Sequence, residues 1–322
     1  MTSIRLEQPK EETYEISSYI SPFNEWNSKA SVRSRPQRHF IKNDCHYLFS
    51  PSLFPIIKNS KICSGGEEVK KILLAQKLYS YLSFTDQLEI EIVLPACYNI
   101  INLKNNIEFE PSITHDARLI ATDEAYHAFF CNLFLQEICT EINIKPINYK
   151  KPIFINSVNS LLSKESDLYY KDIIRIFCAF ISETLITNTL SQIPKDSSVI
   201  QSVRELVKDH ADDEFRHHRF FSFIIKVIWP HISYEKQCLI GCSIPQLIID
   251  YLYPDTSQIV EWIVSIGFSI EEANLIIGDT FKHKDILSYI KEAARPTLHH
   301  LRVCGFLENP IIYQSFNDYG LV

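Results

Sequence analysis

Residues 208–220, with the sequence KDHADDEFRHHRF, are unusually rich in side chains that bind metals. His210, Glu214 and His217 follow one another at intervals of four and three residues. In an α-helix these intervals place all three side chains on one face, about one turn apart. Imidazole and carboxylate groups in such a row suit a transition metal. The stretch therefore predicts a helix that carries part of a metal site.

A shorter copy of this pattern lies upstream. Asp123-Glu124-x-x-His127 precedes its downstream counterpart by ninety residues, and no further Asp-Glu pair occurs in the chain. In four-helix bundles that bind two metal ions, two helices each supply Glu-x-x-His and two each supply one Glu. Bridging carboxylates hold the cations close together, and imidazoles complete each coordination sphere. The repeat predicts such a dinuclear site; the alternative is two solvated helix faces that carry histidines by coincidence.

Each of the two motif helices should be preceded by a helix with a lone glutamate. Glu183 is the only carboxylate in the apolar run 173–193, and burying it unpaired would be costly unless it binds a metal. A buried ion pair with Lys or Arg from another helix is the alternative. Before the first copy, Glu89 and Glu91 both qualify, because both have apolar neighbours at helical spacing. Periodicity does not separate these two.

Three further features accompany the ligand pattern. Each motif glutamate directly follows an aspartate, Asp123 or Asp213, which could accept a hydrogen bond from the outer N–H of a metal-bound histidine. The alternative is that both aspartates are exposed acids. His210 has no counterpart upstream, where Ile120 holds the matching position, and is expected to be a seventh ligand; a core or surface histidine is its alternative. His218 should face solvent. We expect the His299-His300 pair to lie on the surface.

Apolar spacing predicts an all-α protein. The expected helices cover about 65–101 with a kink near Pro95, 114–140, 156–163, 166–191, a helix after Pro194 to 229, 233–253, 256–266 and 269–290. Residues 1–64 contain several prolines and should form an irregular strap, with 47–57 packed across the domain. Residues 65–322 are then one helical domain, with a core bundle at about 65–230 and accessory helices at 233–300. The last thirty residues are expected to be less regular.

Composition narrows the class of protein. The net charge of −7 gives no sign of a nucleic acid or anionic membrane partner, and only 7 glycines in 322 residues disfavour a dinucleotide-binding fold. The nine cysteines are scattered without a C-x-x-C pair, as expected in a reducing cytoplasm. No secretory signal is evident, and we expect no apolar run long enough to span a membrane. We expect a cytoplasmic protein.

With these residues in place, the chain resembles the AurF-like family of non-haem di-iron N-oxygenases, typified by the p-aminobenzoate N-oxygenase. The resemblance covers about residues 25–300. It rests on Glu89 six residues before Pro95-Ala96, on Asp123-Glu124-x-x-His127, on Ser182-Glu183-Thr184, and on His210-x3-Glu214-x2-His217. It favours Glu89 over Glu91, because the first ligand of the family stands six residues before the proline.

The resemblance implies a ferritin-like fold, two iron ions per chain, a homodimer, and a peroxo-bridged di-iron(III) species that oxidises an amine toward hydroxylamine, nitroso or nitro. Manganese suits the same ligands. The implied ligands are Glu89, Glu124, His127, Glu183, His210, Glu214 and His217. Glu124 and Glu214 are the expected bridges. The implied partners are O2, an electron-donor reductase, and a small amine from secondary metabolism, free or tethered to a carrier protein.

Substrate identity is less defined. Some family members use a C-terminal arginine to bind a substrate carboxylate, and here Tyr289 stands near that position, with Lys291 and Arg295 as displaced candidates. Two other functions remain open: a di-iron or di-manganese C–H hydroxylase or desaturase, and a ferritin-like protein that stores iron.

Overall fold

A computed structural model describes residues 19–43, 45–102, 107, 109–147 and 150–322. Within these ranges the chain is helical and contains no β-strand, only an isolated parallel bridge between Tyr47 and Val199. The all-α prediction is confirmed. The α-helices are α1 Trp26–Lys29, α2 Ser31–Ser34, α3 Ser60–Ser64, α4 Gly66–Leu88, α5 Leu94–Asn102, α6 Pro111–Glu141, α7 Ile153–Lys164, α8 Leu168–Leu185, α9 Thr187–Gln192, α10 Gln201–Ile228, α11 Tyr234–Leu252, α12 Thr256–Ser265, α13 Ile270–Thr280, α14 His283–Ala293, α15 Arg295–Val303 and α16 Pro310–Asp318.

The core is a ferritin-like bundle of four long helical segments. α4 and α5 form one of them, and α6, α8 and α10 form the others. α6 packs against α4 and α5, while α8 packs against α5 and α10. α8 is buried on nearly all sides from Ile173 to Leu185, which explains why its sequence is apolar without a polar face. The motif helices α6 and α10 instead bury only one stripe each.

The first bundle segment is interrupted by a π-helical turn, Glu89–Val93, between α4 and α5. Pro95 lies directly beyond it and has no amide hydrogen to donate to the preceding turn, so a regular α-helix cannot continue through this point. The break predicted near Pro95 is thus a π-turn. Such turns insert one extra residue and are frequent at functional sites.

The C-terminal part is more helical than expected. The predicted helix 269–290 is two helices, α13 and α14, and the last thirty residues contain α15 and α16. Pro296 and Pro310 stand within the first two positions of α15 and α16, where a missing amide hydrogen costs nothing. The prolines therefore start helices here, whereas the sequence pattern suggested irregular chain. α6 also begins earlier than expected, at Pro111.

The N-terminal segment runs over the bundle. Residues 19–64 contain only α1–α3 and two 3₁₀ turns, Pro51–Leu53 and Pro55–Lys58. Within the predicted strap 47–57, apolar side chains including Phe49, Phe54 and Ile56 are buried in the common core. The part of the expected strap at 1–18 lies outside the described residues.

One segment, Leu168–Lys195, is long and apolar enough to cross a membrane by length and composition. The expectation that no such run exists was therefore wrong. However, 93% of its most apolar window is buried inside the fold. This is the pattern of a core helix.

Candidate metal centre

The seven predicted ligands meet in the interior of the bundle. Glu89 opens the π-turn, Glu183 lies on α8, and the remaining five lie on α6 and α10. None is more than 2% exposed. Four glutamates and three histidines are thus enclosed together in the core, away from bulk water.

The donor atoms fall into two groups, in each of which all donors lie within 4.8 Å of one another. One group is Glu89, His127, His210 and Glu214, and the other is Glu124, Glu183, Glu214 and His217. Each supplies four donors, and Glu214 belongs to both. The arrangement could therefore hold two cations that share a carboxylate.

Glu124 and Glu214 lie between the imidazoles. Oε2 of Glu124 is 2.7 Å from Nδ1 of His127, and its Oε1 is 2.8 Å from Nδ1 of His217. Oε1 of Glu214 is 2.9 Å from Nε2 of His210 and 3.4 and 3.5 Å from Nδ1 of His127 and His217. A carboxylate that bridges two metal ions needs this central position.

Many of these buried polar atoms make no hydrogen bond of normal geometry, although two of the pairs above, Glu214 with His210 and Glu124 with His217, lie 2.9 and 2.8 Å apart. The atoms are Oε2 of Glu89, Oε1 of Glu124, Oε2 of Glu183, both carboxylate oxygens of Glu214, both ring nitrogens of His210, and Nδ1 of His217. A buried donor or acceptor without a partner costs about 1–3 kcal/mol, more when charged. So many in one place indicate that a cation completes their coordination, and the residues fit a dinuclear metal centre.

The electrostatics of the cluster point the same way. Burial, reinforced by neighbouring carboxylates, raises the pKa of Glu89 and Glu183 well above the usual value. Burial acts in the same direction on Glu214, but the charges of His217 and His210 outweigh it and hold the pKa of Glu214 well below that value. Positive charge inside the cluster therefore relieves the repulsion between its carboxylates.

Two of the three histidines respond in the opposite sense, whereas burial and the charge of His127 lower the pKa of His210. Burial alone would lower the pKa of His127 and His217, but the charge of Glu124 and hydrogen bonds to carboxylates outweigh it, so that both pKa values are raised well above normal. A metal ion would take the place of these protons, since a histidine binds metals in its neutral form.

The two aspartates hold the outer nitrogens of two histidines across the bundle. Nε2 of His127 on α6 is 3.1 Å from Oδ2 of Asp213 on α10. Conversely, Nε2 of His217 on α10 is 3.2 Å from Oδ2 of Asp123 on α6. Because Nε2 of each ring contacts an aspartate, Nδ1 faces the cluster and is the ring nitrogen available to a metal ion. Each aspartate thus contacts the histidine of the opposite motif.

The N-terminal segment reaches both aspartates, which no pattern in the sequence suggested. The indole Nε1 of Trp26 donates to both carboxylate oxygens of Asp123, at 2.9 and 3.0 Å. The backbone amide of Ser31 donates to Asp213 at 3.2 Å, and the guanidinium of Arg216 pairs with the same carboxylate. Trp26 and Asp123 are 97 residues apart in the sequence, and Ser31 and Asp213 are 182 residues apart.

The π-turn decides between the two candidate glutamates of the first helix. Glu89 is 1% exposed and belongs to a group that could hold a metal ion, whereas Glu91 pairs with Lys151. One turn and two turns before Glu89 on α4, the hydroxyls of Thr85 and Tyr81 are buried beside each other, and neither has another hydrogen-bond partner.

The suggested substrate residues do not join the cluster. Tyr289 on α14 is 48% exposed, and Lys291 is exposed on the same helix. Arg295, at the start of α15, pairs with exposed Glu292 at 3.0 Å. These three side chains lie on the molecular surface.

Two histidines expected at the surface are partly buried instead. Nε2 of His218 on α10 lies 3.0 Å from Nε2 of His300 on α15. Burial and the neighbouring imidazole lower the pKa of His218 to about 4. The short accessory helix α15, absent from the sequence expectation, explains the difference, because it covers this side of α10.

Comparison with known families agrees with the site. The family model described as P-aminobenzoate N-oxygenase AurF matches residues 32–299, which contain all seven clustered side chains. A search of curated proteins finds no match.

Proposed function

The chain belongs to the p-aminobenzoate N-oxygenase family, and we propose that it uses two metal ions in the bundle to transfer oxygen from O2 to the nitrogen of a small amine. Membership makes the chain an oxidoreductase of the di-iron N-oxygenase type. The observation that carries the proposal for this chain is the pair of four-donor groups that share Glu214.

We propose that Glu89, Glu124, His127, Glu183, His210, Glu214 and His217 are the ligands. Glu124 and Glu214 are the proposed bridges because each lies between imidazoles of both groups. Metal ions held by these residues would supply O2 activation. Iron is the proposed metal, and manganese is compatible with the same donors.

The protein residues around the ligands have separable tasks. Asp123 and Asp213 are proposed to fix the tautomers of His217 and His127, so that both present Nδ1 to the metals. The enclosed, apolar bundle excludes water from the reacting atoms. The buried hydroxyls of Tyr81 and Thr85 are proposed to receive the polar groups of the amine substrate beside Glu89.

The remaining features of the proposal concern context. We propose that residues 65–322 form a single helical domain and residues 1–64 a strap. We also propose that the protein is a cytoplasmic homodimer and that a reductase donates its electrons. The substrate is a small amine of secondary metabolism, free or carrier-tethered. Recognition of a substrate carboxylate by Tyr289, Lys291 or Arg295 would require the substrate to extend to the exposed surface of α14 and α15.

The first test measures iron binding. The protein is loaded with Fe(II) without oxygen, and bound iron is counted for wild type, Glu89→Gln and the matched control Glu91→Gln. We expect about two iron ions per chain in wild type and control, and a clear loss in Glu89→Gln. Fewer than about one iron ion per wild-type chain would overturn the metal assignment.

The second test identifies the reaction. Iron-loaded protein, a chemical reductant and isotopically labelled O2 are incubated with p-aminobenzoate and with a panel of small aromatic and aliphatic amines. Mass spectrometry should find labelled oxygen on nitrogen. Label on carbon, or a new double bond, would instead identify a hydroxylase or desaturase. Iron uptake with no labelled product from any amine would support iron storage.

A further inference from the structure

We propose that Trp26 is the point at which electrons from a one-electron donor protein enter the metal centre. The inference rests on the proposed function, because only a redox-active centre needs electrons. The buried ligands are out of reach of any donor protein, since none of the seven is more than 2% exposed. Electrons must therefore pass through the protein matrix.

A continuous hydrogen-bonded path leads inward from Trp26. Its indole Nε1 donates to Asp123 at 2.9 Å, the same carboxylate lies 3.2 Å from Nε2 of His217, and Nδ1 of that ring is 2.8 Å from Glu124. Asp123, Glu124 and His217 are all completely buried. The path thus links an aromatic ring on the outside of the bundle to a proposed ligand in two hydrogen bonds.

The corresponding path from His127 does not end on an aromatic ring. Nε2 of His127 meets Asp213, whose further partners are the amide of Ser31 and the guanidinium of Arg216. Neither is an aromatic group, and Arg216 is only 9% exposed. Among these two otherwise parallel supports of the centre, the Asp123 path alone ends on a large π-system.

The position of Trp26 suits contact with a partner. The residue is partly exposed on the short helix α1, whereas Asp123 beneath it is completely buried. The guanidinium carbon of Arg33 lies 5.9 Å from the centre of the indole ring. Trp26 also lies outside residues 32–299, so the family match does not account for it.

The electron balance is simple. Converting an amine to a hydroxylamine with O2 places one oxygen atom on nitrogen and reduces the other to water, which consumes two electrons and two protons. We assign the electrons to a reduced iron–sulfur or flavin protein that gives them one at a time. Each passes from the donor through the indole and Asp123–His217 to a trivalent metal ion, which becomes divalent. Trp26 keeps its N–H, and no covalent bond in the path forms or breaks.

Two substitutions separate electron transfer from support of Asp123. Trp26→Phe keeps a ring but loses the N–H donor, while Trp26→Gln keeps an N–H donor but loses the ring. Oxidised, iron-loaded protein is mixed without oxygen with reduced methyl viologen, and the rate of metal reduction is followed by stopped-flow absorbance for each bound iron. Trp262→Phe is the control, because Trp262 is buried on α12 and its Nε1 has no partner to lose.

We expect at least a several-fold slower reduction in both Trp26 variants and an unchanged rate in the control. When the iron is fully reduced before O2 is added, a single turnover should give the wild-type product yield in all variants. A wild-type reduction rate per bound iron in Trp26→Gln would show that Trp26 only holds Asp123, and would overturn the proposal. Equal slowing in Trp262→Phe would also overturn it. If wild type binds no iron, the proposed function fails first, at a separate step.

Discussion

The two DExxH helices use the same residues but support their histidines differently. On the Asp213 side, the buried carboxylate meets His127, a backbone amide and a cation, Arg216, and its hydrogen bond to His127 lowers its pKa to about 2 despite burial. On the Asp123 side the carboxylate meets only His217 and the neutral indole of Trp26, and burial raises its pKa. A sequence repeat has thus become a structural asymmetry. The carboxylate of Asp213 is paired with a cation inside the bundle, whereas the carboxylate of Asp123 contacts the partly exposed Trp26.

The largest expected effect comes from removing the residue that both halves share. Glu214→Ala should abolish the binding of both metal ions, because Glu214 belongs to both donor groups. Glu183→Ala, which affects one group, should leave residual binding. Iron per chain after anaerobic loading and gel filtration measures both. Equal loss in the two variants would argue against a shared bridge, provided circular dichroism shows that both remain helical.

The two aspartates should differ most in their effect on stability. Asp213→Asn leaves the buried Arg216 without its ion-pair partner, and we expect a loss of about 3–5 kcal/mol in the unfolding free energy of the metal-free protein. Asp123→Asn faces only neutral donors on the Trp26 side, and we expect about 1–3 kcal/mol. Urea unfolding measures both values. A larger loss for Asp123→Asn would reverse the proposed asymmetry.

The same comparison should be visible in the metal affinity. Each substitution removes the carboxylate that orients one histidine, which typically lowers metal affinity about 10–100-fold. Because each aspartate serves the opposite motif, Asp213→Asn should weaken the group that contains His127, and Asp123→Asn the group that contains His217. Competitive chelation shows whether one metal ion or both are affected. Uniform weakening of both ions by either substitution would contradict the cross-pairing.

Acid should affect the Asp213 side selectively. Its pKa is about 2 in the folded protein, against 3.8 ordinarily. A lowered folded-state pKa contributes stability above the unfolded value, about 2 kcal/mol here, and this is lost as pH falls from about 4 through 2. Asp213→Asn should flatten that part of the stability curve of metal-free protein. The raised pKa of Asp123 supplies no stability that acid would remove, so the control Asp123→Asn should show the same loss as wild type.

The smallest effects are expected on the surface of α14 and α15. Lys291→Ala and Arg295→Ala should change the unfolding free energy by no more than about 0.5 kcal/mol, since substitutions at exposed positions usually do. We also expect little change in KM for the amine, because these side chains lie on the exposed surface and Arg295 pairs with Glu292. A large rise in KM would place the substrate carboxylate there after all.

The sequence predicted the bundle and the gathering of the seven side chains well, because both depend on local spacing. Glu-x-x-His fixes a face of a helix, and a lone Glu in an apolar run must find a partner. The choice between Glu89 and Glu91 was beyond periodicity, because a π-turn shifts the register at that point. It needed the family resemblance.

Contacts between distant segments were not predictable in this way. Trp26 and Asp123 are 97 residues apart, and Ser31 and Asp213 are 182 apart, so no periodic pattern links them. The helices α15 and α16 were not predicted, because the last thirty residues were expected to be less regular, whereas Pro296 and Pro310 stand at helix starts. Because α15 was not expected, the contact between His300 and His218 was not predicted either. The packing around the metal centre was therefore not predictable from the sequence. This packing makes the two halves of the centre unequal.

The most direct test of a dinuclear centre is the combination of iron content and electron paramagnetic resonance on the same oxidised, iron-loaded sample. Two ferric ions bridged by Glu124 and Glu214 should couple antiferromagnetically, so we predict about two iron ions per chain and almost no ferric signal at low temperature. A strong signal of isolated high-spin ferric ions at the same iron content would contradict the shared-bridge arrangement.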